Sequence, residues 1–489
     1  MASFRALASI VRNPVPPITK LNLDRAWDRL PEAMRTPQQM YGRHAEGCGA
    51  TIGAMPRCDF ACTGCYLGEE ANQIPSQPVE EIKAQMRLLR TRLGYKGNLQ
   101  LTDGEVTLRP EDEVVELLQY ANEIGLIPML MTHGDTFRRQ PGLLERLIVE
   151  GGLMEVSIHV DVTQRGRKGS AYKNAATEAE LNPLRDEFAQ MLRDARKRTG
   201  RKITAATTLT IDPGNLEGVA DVMRWLVRNA DVFKMISFQP MAQVGRTEAG
   251  LGGAVTVQAL WQKIAEGIDG AGADPARLLR GEMWLGHSAC NKYVPIYVVT
   301  DEGRATHCET ARLAGDPLNE KVFDEFWRRM GGLSFRNDGF GEAVARAVGT
   351  FTQTIDMFAK WGVWYWGSLL QRLSGGDPVG FLSRLARRRA RVNGLLIVSH
   401  HFMSDWEIDT ELGRERLGLC VFHVPVNGEL VSMCEVNATG IRDAYYDDIR
   451  AGRVPGSTPP ERLVQLQRPV SALAPVAPGP RAASRSLHA

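Results

Sequence analysis

The chain has 489 residues, 43% hydrophobic and 24% charged, a composition that excludes disordered, collagen-like and membrane-spanning classes and predicts a soluble globular enzyme of more than one domain. Lys and Arg number 59 against 57 Asp and Glu, a net charge of +2, which argues against a nucleic-acid-binding surface. Eight cysteines, three of them within eight positions, do not make a secreted disulfide framework, so a reducing cytoplasm is expected.

In chain order, residues 1–47 read as an N-terminal extension. Arg5 interrupts its start and Pro14, Pro16 and Pro17 follow, so no signal peptide is predicted. No run of about 18 apolar residues predicts a spanning helix anywhere. Over 48–246 β-rich runs alternate with helical patterns. Strands are predicted at 50–55, 98–102, 128–132, 154–160, 203–211 and 233–239. Between them Val79, Ile82, Met86, Leu89 and Leu93 recur at a helical period before the stop Gly94. A second helix follows Pro110 and ends near Gly125, and Leu216, Val219, Met223 and Leu226 share a later stripe. Six such repeats predict an α/β fold, a partial (β/α)6 TIM-like barrel, with chemistry in the loops after the strand C-termini. Residues 247–281 read as a glycine-rich linker and helix. An α+β domain follows over 282–450, with β-like runs at 293–300 and 419–424 around a helical stretch from about 322 to 391. Residues 451–489 read as a disordered tail; its three arginines from Arg468 onward leave the rest of the chain slightly acidic.

Directly after the first predicted strand stand Cys58, Cys62 and Cys65, spaced C-x3-C-x2-C. Three thiolates on one short loop can hold three irons of a [4Fe-4S] cluster and leave the fourth iron open. An open iron can chelate the amino and carboxylate groups of S-adenosylmethionine and pass an electron to its sulfonium, releasing a 5′-deoxyadenosyl radical. A structural zinc with a distant fourth ligand is the alternative for the same thiols. After the second strand comes Asp103-Gly104-Glu105. A carboxylate on a tight glycine turn there can accept hydrogen bonds from an ammonium, although alone it reads as a turn and helix start.

Together the two strings resemble the radical S-adenosylmethionine (radical SAM) superfamily. Cys58, Cys62 and Cys65 match its cluster loop, and Asp103-Gly104-Glu105 matches its Gly-Gly-Glu turn, with Asp103 in the place of the first glycine. Gly64 stands where the family often has an aromatic residue, flanked by Phe60 and Tyr66. The resemblance implies a [4Fe-4S] cluster, S-adenosylmethionine, and an electron donor such as flavodoxin or ferredoxin. It also implies that Glu105 meets the methionyl ammonium, that Tyr66 lies near the adenine, and that the segment from Gln239 to Arg246 borders adenine or the methionyl carboxylate.

Ser157 and His159 alternate onto one face of the fourth strand, which suits either a ribose or substrate contact or simple barrel lining. Thr204, Thr208 and Thr210 on the fifth strand read as β-propensity, and Thr132, His133 and Gly134 stand at the reactive end of the third. Cys290, Cys308, Cys420 and Cys434, with Cys48, can hold a second iron–sulfur cluster or a zinc, or be separate thiols. The strings around Ser399-His400-His401, Cys420 to His423, and Cys434-Glu435-Val436-Asn437 resemble enzymes related to tetraether lipid synthase and archaeal pterin-methylating radical SAM enzymes. That resemblance implies C–H abstraction followed by C–C bond formation or methylation of a lipid-like or small-molecule substrate. A pterin or peptide substrate, and a nonenzymatic iron–sulfur or zinc scaffold, stay as alternatives. Trp361, Trp364 and Trp366 beside Arg384 and Arg387 to Arg389 suit either a peripheral contact at the inner membrane surface or a packed helical core.

Overall fold

In the computed structural model, which describes residues 3–47, 50–167, 171–335 and 338–453, the six predicted strands form within two residues of their expected bounds. They are β1 (Ala50–Met55), β2 (Asn98–Asp103), β3 (Ile127–Thr132), β4 (Glu155–Ile158), β5 (Thr204–Ile211) and β6 (Phe233–Pro240). They are joined as parallel neighbours in that order. Cys48 and residues 454–489 of the expected tail lie outside the described residues. Alternate strand residues, Leu99 and Leu101, Val156 and Ile158, and Leu209 and Ile211, are buried with the helices in the main hydrophobic core. The helix Val79–Leu93 buries Ile82, Met86, Leu89 and Leu93 against the sheet, and Gly94, at φ +73, ends it. The helices Glu111–Glu123, Asn182–Thr199 and Val219–Arg228 pack similarly.

The sheet does not stop at β6. β7 (Asn291–Asp301), β8 (His307–Thr310) and β9 (Ala390–His400) complete nine strands in the order β1-β2-β3-β4-β5-β6-β9-β7-β8. β9 pairs parallel with β6 and antiparallel with β7. The periodicity reading missed β9, because polar Arg391 and Asn393 and then Gly394 mask its start. Its second half, Leu395, Ile397 and Val398, is nearly solvent-free, as in a central strand.

The stretch expected to be helical from 322 to 391 holds the helices Pro317–Met330, Phe340–Met357, Val363–Leu373 and Pro378–Ala386, with one π turn at Phe358–Gly362. The strand expected at 419–424 forms later, as β10 (His423–Val426) paired with β11 (Glu429–Ser432). Asn427 and Gly428, at φ +50 and +79, make the two-residue hairpin turn that sets this register, while Leu419 only ends the helix Glu411–Gly418.

The hairpin and the helices Met433–Ala438 and Ile441–Arg450 close over the loop after β1. Leu67 and Ile74 of that loop pack with Val424, Val426, Met433, Tyr445 and Tyr446. Among the described residues no helix is long and apolar enough to cross a membrane.

Candidate functional site

A cavity of about 210 Å³ opens at the C-terminal ends of the parallel strands. Cys58, Cys62 and Cys65 line it from the loop after β1, and Asp103, Gly104 and Glu105 from the turn after β2. The cysteine loop is pinned from outside: Cys58 N donates to Asn72 Oδ1 (2.8 Å), Ala61 N to Arg165 O (2.7 Å) and Thr63 N to Thr163 O (3.1 Å). Gly64 is explained by contact, since a Cβ there would lie 2.5 Å from Met241 Cε and 3.0 Å from Thr210 Cγ2.

Burial pushes the Cys58 thiol up to about 12 and moves Cys62 in the same direction. Three sulfurs on one loop are a soft donor set, suited to iron or zinc, whose binding expels the thiol protons. The residues present therefore fit a thiolate-held cluster. Arg246 stands beside them. Its backbone N donates to Cys65 O (2.9 Å), its side chain hydrogen-bonds the Cys65 sulfur, and its buried Nε has no protein partner.

The turn after β2 explains the departure at Asp103. Its φ is +81, a left-handed conformation in which glycine is the ordinary residue. The carboxylate holds it there. Oδ2 accepts from Arg442 Nη1 (3.1 Å) and the Tyr446 hydroxyl (3.1 Å), and Oδ1 from the Tyr66 hydroxyl (3.2 Å). Gly104 leaves room for the cysteine loop, since a Cβ there would lie 2.2 Å from Arg57 O. Glu105 is fully buried. Oε1 accepts from Thr107 N (3.2 Å), Thr107 Oγ1 (2.5 Å) and Thr132 Oγ1 (2.7 Å), and Oε2 from His133 N (2.9 Å). Its carboxylate thus ties the turn to the end of β3.

Two histidine–carboxylate pairs face the same space. His133 Nε2 meets Asp59 Oδ1 at 2.8 Å, and its ring stacks on Phe60 at 3.8 Å between centroids. The His133 bond, with Arg139 also nearby, holds Asp59 well below the usual carboxylate range. Ligand atoms of Cys58, Asp59 and His133 lie within 4.8 Å of one another. His159 lines the cavity, and its Nε2 meets Asp161 Oδ2 at 2.5 Å. Asp161 is buried and accepts from Thr163 N (2.9 Å), Thr163 Oγ1 (2.6 Å) and Thr210 N (2.8 Å). A carboxylate on Nε2 favours the tautomer with the proton there and leaves Nδ1 as an acceptor. Asp59 and Asp161 were missed by motif reading; the His-x-Asp alternation at the end of β4 was the available signal for Asp161.

Other expectations divide. Ser157 is 2% exposed and is not among the residues that line the cavity. It shares a face with His159 but lies two residues deeper, about 6.6 Å down the strand, where its Oγ meets Thr208 Oγ1 at 3.4 Å. Gln239 does line the cavity and donates to Ser237 Oγ (3.2 Å). Thr132, His133, Thr208 and Thr210 line it too, whereas Thr204 does not.

The four C-terminal cysteines are not one group. Cys290, Cys420 and Cys434 lie close enough to feel one another electrostatically, and Cys434 lines the cavity. Arg416 Nε donates to Cys290 Sγ (3.4 Å) and Met403 N to Cys434 Sγ (3.4 Å). Cys308 stands elsewhere. It is buried on β8, at the far end of the sheet order, beside Arg277 and Asp269.

Residues 52–226 match the family model of the Radical SAM superfamily. A 7,8-dihydro-6-hydroxymethylpterin dimethyltransferase of Methanocaldococcus jannaschii is 23% identical over 225 residues, or 45% of this chain and 42% of that protein. The chain therefore matches less than half the length of that curated relative. Among solved structures, Streptococcus suis SuiB bound to S-adenosylmethionine aligns with a TM-score of 0.31 and 12% identity over 43% of each chain. The FeFe-hydrogenase maturase HydG of Carboxydothermus hydrogenoformans aligns with a TM-score of 0.31 and 14% identity, covering 54% of this chain and 59% of that one. The thiol loop and the glycine turn that meet at one cavity both fall within residues 52–226, the part of the chain that is similar to the Radical SAM superfamily.

Proposed function

We propose that the chain is a radical SAM enzyme that abstracts hydrogen from a C–H bond and then forms a C–C bond or installs a methyl group on a lipid-like or small-molecule substrate. The observation that supports this best is the sharing of one cavity by the three loop thiols, the Asp103-Gly104-Glu105 turn and Arg246. Cys58, Cys62 and Cys65 would hold a [4Fe-4S] cluster. When bound, that cluster supplies an electron from a donor of the flavodoxin or ferredoxin kind to the sulfonium of S-adenosylmethionine, yielding a 5′-deoxyadenosyl radical.

The chain's own residues bind and orient. Glu105 Oε2 accepts from His133 N (2.9 Å) and lies 3.3 Å from His133 Nε2, with lone-pair capacity left for the methionyl ammonium, while Oε1 is filled by Thr107 and Thr132. Arg246 Nε is a free donor for the carboxylate. Tyr66 and Gln239 border the remaining length of the cofactor, and Phe402, Phe422 and Met433 shield the cavity from water on the C-terminal side. His159, held by Asp161, accepts a proton through Nδ1 from a polar group of the substrate. Cys290, Cys420 and Cys434 are the candidate ligands of a second cluster or a zinc. The methylating relative favours methyl transfer, and a peptide or pterin substrate stands as the alternative.

Anaerobic reconstitution tests the proposal. The expected result is an iron–sulfur spectrum that S-adenosylmethionine perturbs, with 5′-deoxyadenosine formed under reductant and lost in Cys58→Ala, Cys62→Ala and Cys65→Ala. A second reading rests on the mixed donors Cys58, Asp59 and His133, which suit zinc in a nonenzymatic scaffold. Stoichiometric zinc with no cleavage of S-adenosylmethionine would establish it instead.

A further inference from the structure

Among the described residues, the helices between β8 and β9 leave an apolar face uncovered. On Phe340–Met357 the side chains of Phe340, Val344, Val348, Phe351 and Ile355 recur every three or four residues, which places them on one side of the helix. All are exposed, Phe340 to 90% and Phe351 to 56%. The helix continues through the π turn Phe358–Gly362 into Val363–Leu373, where Val363, Trp364 and Trp366 are exposed as well. From Phe340 to Trp366 the row runs about 40 Å at 1.5 Å per residue. Trp361 does not belong to it. It is half-buried against the packed group of Val322, Tyr365 and Leu369, with Lys321 Nζ 4.5 Å over its ring. The next helix, Pro378–Ala386, packs on the same layer through Phe381 and exposes Val379 and Leu382. An uncovered apolar surface of this extent marks an interaction site.

Charge identifies the occupant. Residues 339–391 carry eight basic and three acidic side chains, a net of +5 on a chain whose total is +2, so the remainder is net negative. Pairing removes part of both signs: Asp356 meets Arg329 and Asp377 meets Arg304 and Arg384, while Arg346 is buried against Asp338, Arg372 meets Glu309, Arg384 also meets Asp301 and Arg389 meets Glu302. Lys360, Arg387, Arg388 and Arg391 are exposed. A second copy docking through the same face would set this positive charge against itself, because a two-fold interface is self-complementary. An anionic lipid surface instead accepts both the apolar row and the cations, with exposed tryptophans suited to the headgroup boundary.

We propose that the face formed by Phe340–Met357, Val363–Leu373 and Pro378–Ala386 docks on an anionic membrane surface, as a peripheral contact. It goes beyond the catalytic reading and is independent of it, since no residue of the face lines the cavity. The test is flotation of the full chain with vesicles of phosphatidylcholine alone or with about one third phosphatidylglycerol. Binding is expected to the anionic vesicles only, with at least a tenfold loss of partitioning in 0.5 M salt on the order expected for screened charges. The exposed substitutions F351S/I355S and W364S/W366S should each weaken binding at least fivefold, while circular dichroism and 5′-deoxyadenosine formation are unchanged. Two outcomes would overturn the proposal: no retention by anionic vesicles, or light scattering showing a dimer that the same substitutions dissociate. Failure of S-adenosylmethionine cleavage with vesicle binding intact would count against the catalytic reading alone.

Discussion

Asp103 and Arg442, 339 positions apart in the chain, form a buried ion pair 3.1 Å long that joins the turn after β2 to the C-terminal helix Ile441–Arg450. The guanidinium also lies 5.0 Å over the Tyr66 ring, and its Nε donates to Asn437 Oδ1 (2.7 Å). Removing one partner strands a buried charge, which costs about 3–5 kcal/mol. Arg442→Met and Asp103→Gly should therefore each lower stability substantially, although glycine relieves the left-handed φ. The double variant should be more stable than the sum of the two losses implies, by more than about 1 kcal/mol. Urea denaturation of the four proteins measures this coupling.

Gly104→Ala tests the close passage of the two loops. The nearest obstacles to the added Cβ are backbone atoms, Arg57 O at 2.2 Å and Pro56 O at 2.6 Å, which cannot rotate away as a side chain would. The cysteine loop must shift, so iron content after reconstitution should fall severalfold at a stability loss of about 1–3 kcal/mol. Iron and sulfide analysis beside a thermal melt checks both numbers. Full iron loading would show that the loop gives way without disturbing its thiols.

Asp161→Asn probes the orientation of His159. The carboxylate accepts from Thr163 N on one oxygen and Thr210 N on the other, and an amide can satisfy only one of these donors. A stability loss of about 1–3 kcal/mol follows. The chemical signature is separate: His159 should lose its preference for the proton on Nε2, which nitrogen-detected NMR of the ring reads directly.

His400 makes the acid side of the stability profile steep. Burial lowers its pKa to about 4, while its ring meets Ser237 Oγ at 2.9 Å and the Tyr293 hydroxyl at 3.2 Å. The depressed value means that the folded state keeps the ring neutral where the unfolded chain takes up a proton. Its contribution is therefore present above pH 6.5 and lost as the pH falls from 6.5 toward 4, up to about 3 kcal/mol. His400→Gln should flatten this part of the profile. His401, lowered to about 4 by burial, keeps part of the slope. Denaturant midpoints between pH 7 and 5 give the comparison.

The six strands and the first helices were legible because each is a local pattern: alternation or apolar runs for strands, and the period of Val79, Ile82, Met86, Leu89 and Leu93 for a helix. β9 was not legible, since its polar first half becomes a strand only by pairing with β7 and β6. Ser157 and His159 are indistinguishable by alternation, and only the depth of the cavity along β4 separates them. Trp361 likewise stands beside Trp364 and Trp366 in the chain, but the helix turns it inward.

The sequence by itself determined the chemistry on offer: three thiols at C-x3-C-x2-C spacing and an acidic glycine turn, each following a strand, because loop length and residue type suffice to put ligands together locally. Tertiary structure alone decided which distant groups join them. Packing of the C-terminal helices brings Arg442 to Asp103 and Cys434 to the cavity, the sheet order sets Cys308 on its last strand, and the Phe340–Trp366 row is left exposed among the described residues. Such contacts depend on which faces the whole sheet buries, and no local spacing encodes that.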